Sequence, residues 1–324
     1  MQRYPDGIFR FLIFTILTAM MLFSGCGWCV GPSDARILLI GDSWAQGIWL
    51  TRAWEQPFRE AGLAHIHWAG ETTSIGGRKA SDFVKPEYRD KILRELSGNP
   101  KVDTIHLIIG GNDVLSRIRD TNVFTAWTEE KRMAEWKSIA ADIREICRFL
   151  LGLPGIRHVV IAGYDYLNVE TIRRILPLLD QGRNWDFGGM TQAQVNQCFI
   201  EVERLKMELA RELDGVEYVH NLGLNQHHFN QPEGAPAPGD PPDFSPFPGG
   251  DPSMPMPDSC FDSVEFGGQT YAGDGVHPNV ATHQRMIARA AKLYYIPWFV
   301  SEAAKTHAGT TIGVLVSGPA GPLN

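Results

Sequence analysis

Cysteine is scarce: five in 324 residues, too few to staple a chain of this length, so a hydrophobic core must hold the fold. Long basic runs are absent too. Thirty Lys and Arg stand against 37 Asp and Glu, a formal net charge of −7, and no stretch suits a phosphate backbone, which argues against nucleic acid as a partner. The chain holds no G-x-S-x-G of an α/β-hydrolase elbow. It holds no H-E-x-x-H, Walker loop or G-x-G-x-x-G either, so zincin, P-loop and Rossmann readings lack support. No internal repeat is visible. At 44% hydrophobic and 21% charged residues, the composition is globular, and collagen-like, coiled-coil or wholly disordered readings are excluded.

Long apolar runs are nearly missing as well. The one candidate, Phe11 to Phe23, has no charge, follows Arg3 and Arg10, and ends at Ser24-Gly25-Cys26. Thirteen residues reach roughly 20 Å as a helix, short of the roughly 30 Å hydrocarbon core, so the pattern is that of a signal peptide over residues 1–25. Leu22-Phe23-Ser24-Gly25-Cys26 resembles a bacterial lipobox, with Phe23 standing where leucine is usual. The expectation is an exported lipoprotein held to the membrane through Cys26, in the periplasm or at the cell surface. Ordinary secretion and an uncleaved anchor are the alternatives. Cys26-Gly27-Trp28-Cys29 also spells C-x-x-C, but no strand precedes it, which disfavours a redox pair. Cys147 and Cys198 fall on apolar helix faces and read as core thiols. Cys29 and Cys260 lie in loop-like sequence, where a disulfide would suit an oxidising compartment.

After a linker at 26–34, apolar runs alternate with helical periods to about residue 300, the pattern of a parallel sheet covered by helices on both faces. Strands are expected at Ile37–Ile40, Ala64–Trp68, Thr104–Ile109, His158–Ala162 and Val216–Val219. Met133, Trp136, Ile139, Ile143, Ile146 and Leu150 make one helical stripe, and Val195, Phe199, Val202, Leu205 and Leu209 another. The second helix should begin at Thr191, which has capping-box spacing to Gln194. A last helix over Met286 to Tyr294 is expected to stop near Pro297. Ten prolines between Pro232 and Pro257 predict an irregular surface insertion at about 229–259. The segment 301–324 reads as a flexible tail.

Gly41-Asp42-Ser43 directly follows the first strand and precedes a helix-like segment, which puts the Ser43 hydroxyl where open α/β sheets bind ligands. Asp274-Gly275-Val276-His277 sits in a turn before the last helix. Its spacing lets the carboxylate hold Nδ1–H and leaves Nε2 to take a proton. A serine that attacks an acyl carbon also needs donors for the oxyanion. Ser74-Ile75-Gly76-Gly77 and Gly110-Gly111-Asn112-Asp113 follow the second and third strands and offer backbone N–H groups and a neutral amide.

These four segments, in this order and spread from about Arg36 to Tyr295, resemble the blocks of the SGNH, or GDSL-type, hydrolase family. The resemblance implies a three-layer α/β/α sandwich with a flavodoxin-like parallel sheet and a Ser–His–Asp triad. It also implies esterase or acyl-transfer chemistry with no metal or cofactor. Ser43 would be the nucleophile, His277 the general base and Asp274 its orienting carboxylate. The oxyanion hole would be the Ser43 and Gly77 N–H groups with the Asn112 side chain, Gly76 being the alternative to Gly77. Trp44 stands in place of the family's leucine, and Arg78-Lys79 follows the oxyanion glycine where an acidic residue and threonine are common. Trp44, Arg78 and Tyr164 are candidate substrate contacts. His227-His228 would be the place for a metal, although adjacent loop histidines are mostly solvated. The leading expectation is a serine esterase acting on an O-acetyl or other acyl ester of an envelope glycan or lipid. An O-acyltransferase and a non-catalytic binding module on the same fold are the rivals.

Overall fold

The computed structural model describes residues 34–300 apart from residue 267. The expected signal peptide at 1–25, Cys26, Cys29 and the segment 301–324 expected as a tail lie outside the described residues. No described helix is long and apolar enough to cross a membrane.

Five parallel strands, β1 Ala35–Gly41, β2 His67–Ala69, β3 Thr104–Ile108, β4 His158–Ala162 and β5 Val216–Val219, form the sheet, and runs rich in Ile, Leu and Val build the central three, β1, β3 and β4. Side chains that are apolar without alternation suit a sheet covered on both sides, where no face meets water. Ile37 to Ile40, Ile105, Leu107, Ile108 and Val159 to Ile161 are all fully buried. The strand order is β2-β1-β3-β4-β5, and the register pairs Gly41 with Ile108 and Thr104 with His158. This is the flavodoxin-like order, whose chain reversal falls between β1 and β3 and opens a crevice at their carboxyl ends.

Helices cover both faces of the sheet. α1 (Ser43–Thr51) and α2 (Val280–Ala290) share one side with β1; α3 (Glu129–Leu151) and α4 (Gln192–Glu212) pack on each other and on β4 and β5. The architecture is an α/β/α sandwich. Thr191 caps α4 reciprocally, its hydroxyl accepting from Gln194 N–H (3.2 Å) while Gln194 Oε1 accepts from Thr191 N–H (2.9 Å). Such a box satisfies two helix-end donors at once.

Four sequence expectations need correction. β2 spans His67–Ala69 and not Ala64–Trp68, because Leu63 and Ile66 turn inward in a tight turn, Ile66 N–H donating to Leu63 O (2.9 Å). β3 ends at Ile108, one residue early. The last helix does not stop at Pro297. A π turn at Ala291–Tyr295 leads into helical backbone through residue 300, and a proline is tolerated where the hydrogen-bond ladder is already shifted. The proline-rich segment has no helix or strand between residues 230 and 257, yet it is not a loose surface loop. Ala235, Phe244 and Met256 are buried. Arg289 donates to Pro238 O and Gly239 O, and Gln226 Nε2 donates to Asp251 O, Met254 O and Pro255 O. A hairpin, Ser263–Phe266 with Gln269–Ala272, follows it and had no clear sequence sign.

Cys147, Cys198 and Cys260 are free and buried; the partner considered for Cys260, Cys29, lies outside the described residues. Leu107 is the test of the core, since it is fully buried at the centre of the sheet. Leu107→Ala should lower unfolding free energy by about 2–5 kcal/mol in urea titration. A loss under about 1 kcal/mol would contradict the packing described.

Candidate active site

β1 delivers Ser43 to the crevice through two constrained residues. Gly41 lies so close to β3 that a Cβ there would stand 2.0 Å from Ile108 O, and any side chain would push the strands apart. Asp42 then leaves the strand and caps α1, its Oδ1 accepting from Trp44 N–H (3.0 Å) while its Oδ2 accepts from the Tyr164 hydroxyl (2.5 Å). Ser43 is the first residue of α1, where unpaired N–H groups and the helix dipole favour negative charge.

The turn before α2 returns 234 positions later. His277 Nε2 lies 2.8 Å from Ser43 Oγ, and His277 Nδ1 lies 2.5 Å from Asp274 Oδ2. The other oxygen of Asp274 accepts the backbone N–H of both Val276 and His277, each at 2.8 Å, so the carboxylate is fixed before it fixes the imidazole. Two further bonds locate the turn itself. Trp44 Nε1–H donates to Val276 O (3.0 Å) from the helix that carries Ser43, and Asn168 N–H donates to Gly275 O (3.0 Å).

Burial alone would lower the pKa of His277. The hydrogen bond and charge of Asp274, with the charge of Asp42, outweigh it and hold the imidazole above its ordinary 6.5. Burial likewise raises Asp274, but the bonds and charge of His277 and the two backbone donors bring its carboxyl below its ordinary value. The pair therefore adds stability between these limits. It weakens as pH rises through the native His277 value and as pH falls through the native Asp274 value. An imidazole so held takes a proton from Ser43 Oγ only when it is neutral, above that raised pKa.

The loops after β2 and β3 close the other side. Asn112 Nδ2 donates to Arg78 O (3.1 Å) and Asp113 Oδ2 accepts Ala80 N–H (2.8 Å), stitching residues 76–80 to the helix start at Gly111. A Cβ on Gly76 would lie 3.8 Å from Ser43 Cβ and 2.5 Å from Gln46 Oε1, so Gly76 packs against the serine. Gly77 follows at φ +74°, a left-handed turn that glycine adopts without strain. Beside Ser43 and Asn112 lies a cavity of about 10 Å³, walled by Trp44, Leu115, Tyr164, Leu167, Phe199 and Val276. That is about the room one water needs.

Ser43, Asp274, His277, Asn112, the Gly76-Gly77 turn, Trp44 and Tyr164 thus meet at one rim. The Arg78 guanidinium lies over the Tyr88 ring, 5.6 Å from the centroid, and its carbonyl accepts from Asn112. Tyr164, expected as a substrate contact, uses its hydroxyl on Asp42 and offers the cavity only its ring. Trp44 is equally dual, wall and brace. His227 Nδ1 pairs with Ala235 O (2.8 Å), and among the described residues no group of three or more His, Cys, Asp or Glu is arranged to hold a metal. As cavity-wall residues, Leu115, Leu167 and Phe199 were missed by the sequence reading, which placed Phe199 only on an apolar helix stripe. As apolar residues in helical or loop sequence, nothing separates them from core.

No family profile and no curated protein matches the chain. Solved structures do. A carbohydrate esterase family 3 protein from Talaromyces cellulolyticus is similar at 13% identity and TM-score 0.45, over 84% of this chain and 99% of that one. A carbohydrate acetylesterase from Sinorhizobium meliloti is similar at 14% and 0.41, over 80% and 97%, and an extracellular lipase from Streptomyces rimosus at 14% and 0.41, over 80% and 99%. At these identities and TM-scores, the chemistry must be argued from this chain's own residues.

In an NMR titration of the histidine ring, His277 should titrate above 6.5 and shift downward in Asp274→Asn, which removes the bond and the charge that raise it. Titration of the wild-type ring at or below 6.5 would contradict the described pairing.

Proposed function

We infer that the chain is a serine esterase of the SGNH, or GDSL-type, family. The observation that carries the reading is the continuous relay from Ser43 Oγ to His277 (2.8 Å) to Asp274 (2.5 Å) at the carboxyl end of β1. In this reading His277 Nε2 takes the Ser43 proton as Oγ bonds to the acyl carbon, and the carbonyl oxygen becomes an oxyanion. The Ser43 and Gly77 N–H groups and the Asn112 amide receive that charge. Collapse breaks the bond to the alcohol oxygen, which leaves with the proton from His277. A water then attacks the acyl-enzyme, giving its proton to the same nitrogen, and the carboxylic acid departs as Ser43 recovers its proton. None of these steps calls on a metal or cofactor.

Cavity size favours a short acyl group. With about the room of one water beside Ser43, the cavity disfavours a long acyl chain, and acetyl is the smallest acyl group of a common ester. The alcohol half has more room: Gln46, one helical turn from Ser43 and in contact with Gly76, also borders an open trough of about 640 Å³ lined by Glu71, Thr72, Lys91, Arg94 and Glu95. A wall of charged and hydrogen-bonding groups suits a hydroxyl-rich alcohol such as a glycan better than a lipid. The half-exposed imidazole of His277 leaves water a path to the acyl-enzyme, which favours hydrolysis over transfer to a second alcohol. Export, with acylation at Cys26 as the membrane anchor, belongs to the same proposal.

On p-nitrophenyl acetate, Ser43→Ala should lose at least about 10³-fold in turnover and Asn112→Ala about 10²–10³-fold. Hexanoate should be a much poorer substrate than acetate, and Leu115→Ala should narrow the difference. Full activity of Ser43→Ala would sink the assignment. Equal rates on both esters would sink the acyl-size reading alone.

A further inference from the structure

Beneath the nucleophile loop lies an ion pair with no part in the relay. Lys206 and Glu203, one turn apart on α4, are essentially inaccessible, and Lys206 Nζ donates to Glu203 Oε1 (2.7 Å). Burying two charges costs more than a well-packed apolar pair would, so such a pair needs a reason. Its surroundings supply one. Lys206 Nζ stands over the Tyr164 ring, 4.5 Å from the centroid, and Tyr164 donates to Asp42 (2.5 Å). Glu203 in turn accepts the Tyr218 hydroxyl (2.8 Å). Backbone has been cleared for the pair: a Cβ on Gly163 would stand 2.5 Å from Glu203 Oε2, and one on Gly110 would touch Lys206 Cε at 3.4 Å.

We propose that Lys206, clamped by Glu203, is a positioning residue for the nucleophile: through Tyr164 it holds the Asp42 carboxylate against the start of the helix that carries Ser43. A cation on the face of a phenol draws electrons from the ring and strengthens donation by its hydroxyl. Asp42 is the group that gains. It is buried, and burial pushes its carboxyl up to about 6, opposed by the Tyr164 hydroxyl, the Trp44 N–H and the positive charges of Lys206 and His277. Those are the groups that face it, from the loop after β4, from α1, from α4 and from the catalytic turn. Lys206 itself faces Glu203, Tyr164 and Asp42, and Tyr218 of β5 completes Glu203. The consequence is electrostatic. Removing a positive charge makes protonation easier at both Asp42 and His277, so the acid limb of activity must move to higher pH.

This rests on the esterase reading, and the test separates the two. A fluorophosphonate probe that leaves wild-type Ser43 unlabelled sinks the hydrolase reading itself. With labelling in place, kcat/KM for p-nitrophenyl acetate is followed against pH in Lys206→Met, in Lys206→Met with Glu203→Gln, in Tyr164→Phe and in Lys206→Arg. The double variant removes both charges and folds even where a lone buried carboxylate would not. The acid limb is expected to rise by about one pH unit in Lys206→Met and in Tyr164→Phe, so that activity falls about tenfold more at pH 6 than at pH 8, and by less in the double variant, which also removes the opposing charge of Glu203. Lys206→Arg should keep the limb in place. A uniform fall at every pH, an unmoved limb or a downward shift would overturn the proposal and leave Lys206 a packing residue.

Discussion

One hydrogen bond joins the two ends of the molecule's chemistry, His277 Nε2 to Ser43 Oγ across 234 residues of sequence. For it to exist, the loop leaving β1 and the turn entering α2 must arrive at the same rim with errors well under an ångström. The fold meets that demand with rigid parts. Gly41 brings β1 tightly against β3, Asp42 ties the helix start to Tyr164, and Trp44 reaches from α1 to Val276 in the Asp274–His277 turn. The residues next to Ser43 thus spend their polar groups on geometry.

The location follows from topology. With strand order β2-β1-β3-β4-β5, the reversal between β1 and β3 leaves a crevice at their carboxyl ends. β1 places Ser43 on one side and β3 places Asn112 on the other. The loop after β2 is drawn in by its bonds to Asn112 and Asp113, which brings Gly76 against Ser43. Burial then sets its electrostatics: Asp42 and Asp274 carry the charges that raise His277, and the polar groups around each decide which carboxylate is held low and which is pushed up.

Much of this was legible before any coordinates. β4 falls where its apolar run placed it and β5 where the sequence also placed a strand, and the box at Thr191 announces its own helix, because local chemistry decides these. The short polar motifs at 41–43, 110–113 and 274–277 stood out since each follows or precedes an element in a position apolar packing does not explain. What failed to show was non-local. β2 is an edge strand three residues long, too short for a period to be read. Pro297 ends no helix because a π turn precedes it, and no residue preference signals one. Arg78 looked like a pocket residue from its neighbours in sequence, and only the structure shows its guanidinium over the Tyr88 ring. Lys206 and Glu203 interrupt the apolar face of α4 as two ordinary surface residues would, and only the packing of Tyr164 and Tyr218 over them reveals a buried pair.

The central claim is that Ser43 forms a covalent acyl intermediate, and trapping that intermediate tests it most directly. The enzyme would be mixed with excess p-nitrophenyl acetate, quenched in acid within milliseconds and digested for peptide mass mapping. The account predicts a burst of nitrophenol close to one equivalent and a single acetyl group on the peptide bearing Ser43. Turnover with no burst and no acetyl there, or with the acetyl on another side chain, would contradict it.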